Sequence, residues 1–255
     1  MKFGLNLYSV RNLIQTEEDF TNTLYKLKEM GYDYVQFSGA PFDADEIKRV
    51  SLKTKMPVCL THVTFDRIVN DTDALMEEHS RFNCKNIGLG ALNPKIIRDE
   101  AEFKKSVDLL EKSAEIMEKN GFKFFYHHHN FEFFKHGDKT AFDYIVENSP
   151  HINFTLDTYW LQYGGAEITP TIKRLKGRSE CVHLKDYKTV FNENGQYEPN
   201  FAPIGDGVMD FSNIIKNMKS FGVKYFLVEQ DNAAILPDTL AQVERSISWL
   251  NREFN

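Results

Sequence analysis

Several apolar runs in this chain end in a side chain able to hold a proton or a metal. VCLTH places His62 after an apolar stretch, NFTLD ends in Asp157, CVHLK carries His183 and Lys185, and FLVE ends in Glu229. A carboxylate at the end of an apolar run is expensive to bury without a partner, so Asp157 and Glu229 are the strongest candidates for chemistry. A further run, FFYHHHNFEF over residues 124–133, sets His127, His128 and His129 side by side, with Glu132 three positions on. Two imidazoles and two carboxylates from four separate segments make a mixed nitrogen and oxygen site for one divalent ion, with Mn, Mg, Co and Zn all admissible. Each residue also has a plainer reading. His62 could simply be hydrogen-bonded at a strand end, Asp157 could cap a turn, and Lys185 could pair with Asp186 or Glu229. His79, His136 and His151 fall in helix or loop contexts and are expected to face solvent.

For these residues to meet, their segments must be strands of one sheet. Strand-like runs cover Phe3–Ser9, Tyr34–Ser38, Pro57–Val63, Asn86–Gly90, Lys123–Asn130, Ile152–Tyr159, Cys181–Asp186 and Tyr225–Asp231. Helical periodicity lies between and after them, at 17–30, 43–53, 71–83, 98–119, 139–148, 166–176, 210–220 and 238–252. Thr16 with Asp19 fits a helix cap, and helix-stop glycines precede strands at Gly31, Gly121 and Gly222. Strand-then-helix units at roughly 30-residue spacing over a chain of this length predict an α/β fold, a (β/α)8 TIM barrel forming a single domain over residues 1–255. An open doubly wound sheet would usually have fewer strands, and no GxGxxG follows the first run.

Alternation then assigns faces. Ile152, Phe154 and Leu156 oppose Asn153, Thr155, Asp157 and Tyr159. Phe3, Leu5 and Leu7 oppose Asn6 and Tyr8. Val35 and Phe37 oppose Gln36 and Ser38, and Ile87 and Leu89 oppose Gly88 and Gly90. The apolar faces go outward onto helices, which leaves a polar lumen at the strands' C-terminal ends, where this architecture places active sites. In the fifth run alternation leaves the register open: either His127 with His129, or Tyr126 with His128, faces the lumen.

The composition is that of a protein with one large core, with 42% hydrophobic and 27% charged residues among 255. A net charge of −6 argues against nucleic-acid and anionic-membrane partners. The three cysteines, Cys59, Cys84 and Cys181, lack CxxC spacing and suit reduced thiols. With no signal-peptide pattern at the N-terminus and no run of transmembrane length, a cytoplasmic location is expected. A homo-oligomer is compatible with all of this. Segment 188–210 is long, polar and rich in turn residues, which suits either a surface excursion or a lid over the barrel mouth.

GLNLYSVR, YHHHNFEF, LDTYWLQYGG, VHLKD, PIGDGVMDF and LVEQD, in that order and across nearly the whole chain, resemble the sugar phosphate isomerases/epimerases. These are xylose isomerase-like TIM barrels that also include ketose 3-epimerases, inosose dehydratase and endonuclease IV. The resemblance implies one divalent metal held by Glu, Asp, His and Glu at the ends of strands five to eight. The last three map onto Asp157, His183 and Glu229. Where many members carry glutamate followed two residues later by histidine, this chain has His127 followed by His129, which places His127 at the fourth ligand position and turns it inward.

The implied activity is isomerisation or epimerisation of a keto-sugar or related carbohydrate through proton abstraction α to a carbonyl. Glu229 would be ligand and acid/base, and His127 or His129 its counterpart. His62, Glu132, Trp160 and Lys185 are the substrate-binding candidates. Ketose epimerases of this kind use two glutamates on opposite faces of the substrate and only Glu229 is kept here, so a lyase or dehydratase acting on a keto-glycoside or keto-cyclitol is the first alternative. An endonuclease IV-like phosphodiesterase would need more metal ligands on strands two to four than His62 supplies. A non-catalytic sugar-binding barrel would carry no stoichiometric metal.

Overall fold

Local chemistry sets the ends of the repeating units. The Asp19 amide donates to Thr16 Oγ1 at 3.1 Å and the Thr16 hydroxyl donates to Asp19 Oδ2 at 2.7 Å, opening the helix Glu17–Met30. Gly31 ends that helix at φ +104°, a left-handed conformation that glycine adopts without steric cost. The computed structural model describes residues 1–255. It contains eight parallel strands: β1 (Gly4–Asn6), β2 (Tyr34–Phe37), β3 (Val58–Val63), β4 (Asn86–Leu89), β5 (Lys123–His127), β6 (Asn153–Asp157), β7 (Cys181–Leu184) and β8 (Tyr225–Val228). Each pairs with its neighbours in sequence, and β8 closes on β1 through Gly4 opposite Leu227 and Leu5 opposite Val228. The chain is a closed (β/α)8 barrel, and all eight strand runs read from the sequence take part.

Side-chain alternation divides the strands as expected. Phe3, Leu5, Val35, Phe37, Ile87, Leu89, Phe154 and Leu156 point outward into the main core beneath the helices. A second, smaller apolar cluster of Tyr34, Cys59, Leu60, Phe125, Cys181 and Leu227 fills the lower lumen. Two residues further along the same strands stand Gln36, His62, His127, His183 and Glu229. Strand β5 settles its own register: Phe124 and Tyr126 join the outer core, while Phe125 and then His127 face the lumen. All three cysteines are free and buried.

After β7 the chain leaves the barrel as an antiparallel ribbon, Asp186–Phe191 against Tyr197–Ala202. Buried Asp186 anchors its return by accepting from the amides of Tyr187, Gly205, Gly207 and Met209 at 2.8 to 3.3 Å. A side chain at Gly207 would collide with that carboxylate. The ribbon's tip is solvent-facing, with Phe191 and Tyr197 exposed, whereas its base brings Phe201 to 5.4 Å from Lys185 Nζ. The excursion therefore combines an exposed tip with a base packed beside Lys185. No helix is long and apolar enough to cross a membrane.

Three histidines outside the lumen differ from expectation. His79 is fully buried: its ring nitrogens lie 2.7 Å from Leu75 O and 2.7 Å from Thr61 Oγ1, and its ring stacks on Phe42. A helix contact with the barrel wall, invisible to periodicity, covers it. His136 and His151 are half-buried, the first bonded to Ile97 O at 2.7 Å and the second paired with Glu111.

Candidate metal centre and active site

Strands β5 to β8 bring His127, Asp157, His183 and Glu229 together with one ligand atom of each within 4.8 Å of the others. All four are buried. Their outer contacts fix how the imidazoles are protonated. His127 Nδ1 lies 2.8 Å from Gly90 O and so donates to it, leaving Nε2 bare. His183 Nε2 lies 2.8 Å from Gln36 Oε1 and donates there, leaving Nδ1 bare. The two bare nitrogens face one another at 3.1 Å, and His183 Nδ1 is 2.8 Å from Glu229 Oε2. Lone pairs turned on lone pairs at this distance call for a cation between them.

The carboxylates say the same. Asp157 Oδ2 and Glu229 Oε2 are buried without a well-formed hydrogen bond. Their other oxygens are engaged: Asp157 Oδ1 accepts from the Trp160 amide at 2.9 Å, and Glu229 Oε1 from Asn6 Nδ2 at 2.6 Å. The nearest cation to the free oxygens is Lys185 Nζ, 3.2 Å from Asp157 and 3.0 Å from Glu229, and it also reaches Asp231 at 3.1 Å. Three carboxylates less one ammonium leave two negative charges, the charge of one divalent ion. The donor set, its tautomers and its charge all fit such an ion.

Burial opposes ionisation throughout the cluster, and the pairing overrides it where charges meet. Lys185 is desolvated, yet Asp157, Glu229 and Asp231 raise its pKa and keep it protonated. Asp157 and Glu229 are held low against their desolvation by the Lys185 ammonium, which is paired with both. Asp231, partly buried beside those carboxylates, is raised by desolvation to about 6. Burial lowers His62 and His127. Burial, then His127, takes His129 down to about 2.

Above the cluster opens a cavity of about 340 Å³ lined by Asn6, Tyr8, Ser38, His62, His127, His129, Lys185, Glu229 and Asp231, among others. His129 lines it, and its Nδ1 is buried without a partner. Trp160 stands beside it, its ring 5.3 Å from His129 and 5.2 Å from Lys185 Nζ. His128 points away from the lumen, packed on Phe133 and Phe142, and its Nε2 accepts from the Asp157 amide at 3.1 Å.

Glu132, a candidate sugar contact by sequence, is withdrawn from the cavity. It is fully buried in the wall, where it accepts from Tyr126 Oη at 2.8 Å and the His129 amide at 2.7 Å. Desolvation raises its carboxyl to about 8. Its spacing after the triplet serves to brace the turn that presents His129. Conversely, Asn6, Gln36 and Asp231 belong to the site and were not singled out. Asn6 and Gln36 already stood on the lumen face by alternation, and Asp231 follows Glu229 by two residues, the strand period that keeps a side chain on one face.

A closed parallel barrel with a charged, metal-ready mouth is the architecture of a TIM-barrel enzyme. The sequence matches the xylose isomerase-like TIM barrel family over residues 24–253, and the chain belongs to that family. It is 25% identical over 174 residues to an inosose dehydratase of Clostridium perfringens, a match covering 63% of this chain and 58% of that protein. Among solved structures, it resembles a sugar phosphate isomerase/epimerase from Parabacteroides distasonis ATCC 8503, with TM-score 0.80 and 21% identity over 98% of each chain. It also resembles an L-ribulose 3-epimerase, with TM-score 0.71 and 15% identity over 99% of this chain and 94% of that one.

Proposed function

We propose that this protein is a metal-dependent isomerase or epimerase of a keto-sugar or related carbohydrate, working by proton abstraction α to the carbonyl. The observation that carries the reading is the pair of buried oxygens without a well-formed hydrogen bond, Asp157 Oδ2 and Glu229 Oε2, facing the bare nitrogens of His127 and His183. A divalent ion held by these four residues would supply electrophilic stabilisation to a substrate oxygen as negative charge develops on it. Glu229 is the proposed acid and base, with Asn6 steadying its second oxygen. His127 has one nitrogen on Gly90 and the other in the ligand cluster, so it is assigned as a ligand. His129, which lines the cavity, is the proposed counterpart of Glu229 in proton transfer. Protonated Lys185 holds Asp157, Glu229 and Asp231 beside the cavity, and His62 lines the space where a sugar would lie.

The second reading is elimination, by a dehydratase or lyase acting on a keto-cyclitol or keto-glycoside. It is favoured by His129 itself, whose low pKa makes it a poor store for a proton that must be returned to the opposite face. Elimination through Glu229 has no such requirement. The test is to strip the protein with chelator, reload it with Mn, Mg, Co or Zn, and incubate it with keto-sugars and inososes in deuterated water. Isomerisation or epimerisation leaves the formula unchanged apart from deuterium gained from solvent, whereas elimination loses water or an alcohol. Full turnover by the stripped protein would sink both readings.

A further inference from the structure

The cavity over the metal cluster adjoins a second one. This annex has a volume of about 500 Å³, against 340 Å³ for the polar chamber, and the two share His62, Gly90 and Ala91 as common wall. The chemistry changes across that wall. The annex is lined by Pro41, Phe42, Val63, Phe65 and Leu89, with Arg67 as its one charged group. Arg67 is already engaged, by Asp71 at 3.0 Å and Glu78 at 3.0 Å, so it recruits no anion. Apart from His62 and Arg67, Thr64 is the only lining side chain able to hydrogen-bond. A sugar ring lying there would leave its hydroxyls without partners, which costs binding energy. The shared wall at this point is the His62 ring packed on Gly90, where a Cβ would lie 3.1 Å from Nδ1.

We propose that the annex is a subsite for an apolar substituent carried by the sugar, so that the substrate is a conjugate with an apolar aglycone and not a free small sugar. This rests on the reading of the polar chamber as a carbohydrate site. The sugar occupies the chamber, and the alkyl or aryl portion passes Gly90 and lies along Val63 and Phe65. Another apolar groove, around Phe131, Phe134 and Tyr163, lacks this connection. It shares no residue with the chamber, and the Phe131 ring, stacked on His129 at 4.9 Å, stands between them.

The test is calorimetric titration of the metal-loaded protein with n-alkyl β-D-glucosides from methyl to hexyl. Affinity is expected to rise about fourfold for each of the first few added methylenes as they leave water. Phe65→Ala should cut the hexyl-to-methyl ratio by about tenfold, while Tyr163→Ala leaves the ratio unchanged. A flat wild-type series, no saturable binding by any member, or loss of the trend in Tyr163→Ala but not in Phe65→Ala would overturn the proposal. The deuterium experiment stays separate. A rising series without turnover of any keto-sugar, either free or as its alkyl glycoside, upholds the subsite and removes the catalytic reading, and turnover with a flat series does the reverse.

Discussion

The two levels of the barrel lumen are built from the same strands, two residues apart, and do opposite work. Tyr34, Leu60, Phe125, Cys181 and Leu227 form an apolar floor, and one strand period above them stand Gln36, His62, His127, His183 and Glu229. The floor gains from being dry and well packed. The upper ring is largely buried but borders the open cavity, and it holds three carboxylates around one ammonium, with lone pairs turned on one another. Packing therefore dominates below, and the groups suited to chemistry gather above. The backbone that carries both keeps the reactive groups in place without depending on favourable contacts among them.

The largest effect that separates the two levels is expected from Glu229→Gln. This change keeps the side chain's shape and removes its charge. Turnover should fall by about 10²- to 10⁴-fold if Glu229 moves the proton. A readout independent of substrate goes with it. A divalent ion at 100 times its Kd should stabilise the wild type by about 2.7 kcal/mol, seen as a rise in unfolding midpoint, and this rise should shrink in the variant. An undiminished rise would remove Glu229 from the ligand set.

Phe125→Ala attacks the floor in the strand that carries His127. Phe125 is fully buried, and its truncation should cost about 3 to 5 kcal/mol in denaturant unfolding. In protein that remains folded, the metal-induced stabilisation should persist, because no ligand is altered. If the variant loses metal affinity as completely as Glu229→Gln does, floor and ring are one unit and the division fails.

Most of the frame was legible in the sequence because a parallel barrel repeats one simple pattern. The runs around Val35, Ile87 and Phe154 show period-two alternation, and Gly31, Gly121 and Gly222 mark where helices stop. Asp157, His183 and Glu229 stood out because polar residues seldom close apolar strands. What alternation could not resolve was β5. There Phe124, Phe125 and Tyr126 are all apolar, and only the three-dimensional register shows that Phe125 shares the lumen with His127. Glu132 misled because a carboxylate near a histidine triplet looks catalytic, while its hydrogen bonds to Tyr126 Oη and the His129 amide are tertiary facts. Asp231 was missed for the converse reason: it lies just past the end of β8, where strand parity continues but the apolar signal has stopped.

His79 supplies the smallest and cleanest contrast, since it is a buried imidazole with no part in the lumen. Burial lowers its pKa from 6.5 to about 4, so the folded protein holds it neutral. Above pH 6.5 the unfolded chain also holds it neutral, and it adds no pH dependence. Between pH 6.5 and about 4 only the unfolded chain takes up the proton, and stability falls as pH falls. The slope approaches about 1.4 kcal/mol per pH unit, with a total of about 3 kcal/mol. Below about 4 both states are protonated and the slope ends. His79→Gln should begin less stable at neutral pH, because it loses the stack on Phe42, yet lose less on acidification by that amount. Denaturant titrations of both metal-free proteins from pH 7.5 to 4.5 isolate this share, since the lumen imidazoles are common to the pair. Parallel curves would show that His79 is charged within the fold, and that imidazoles outside the lumen are no more neutral than those in solvent.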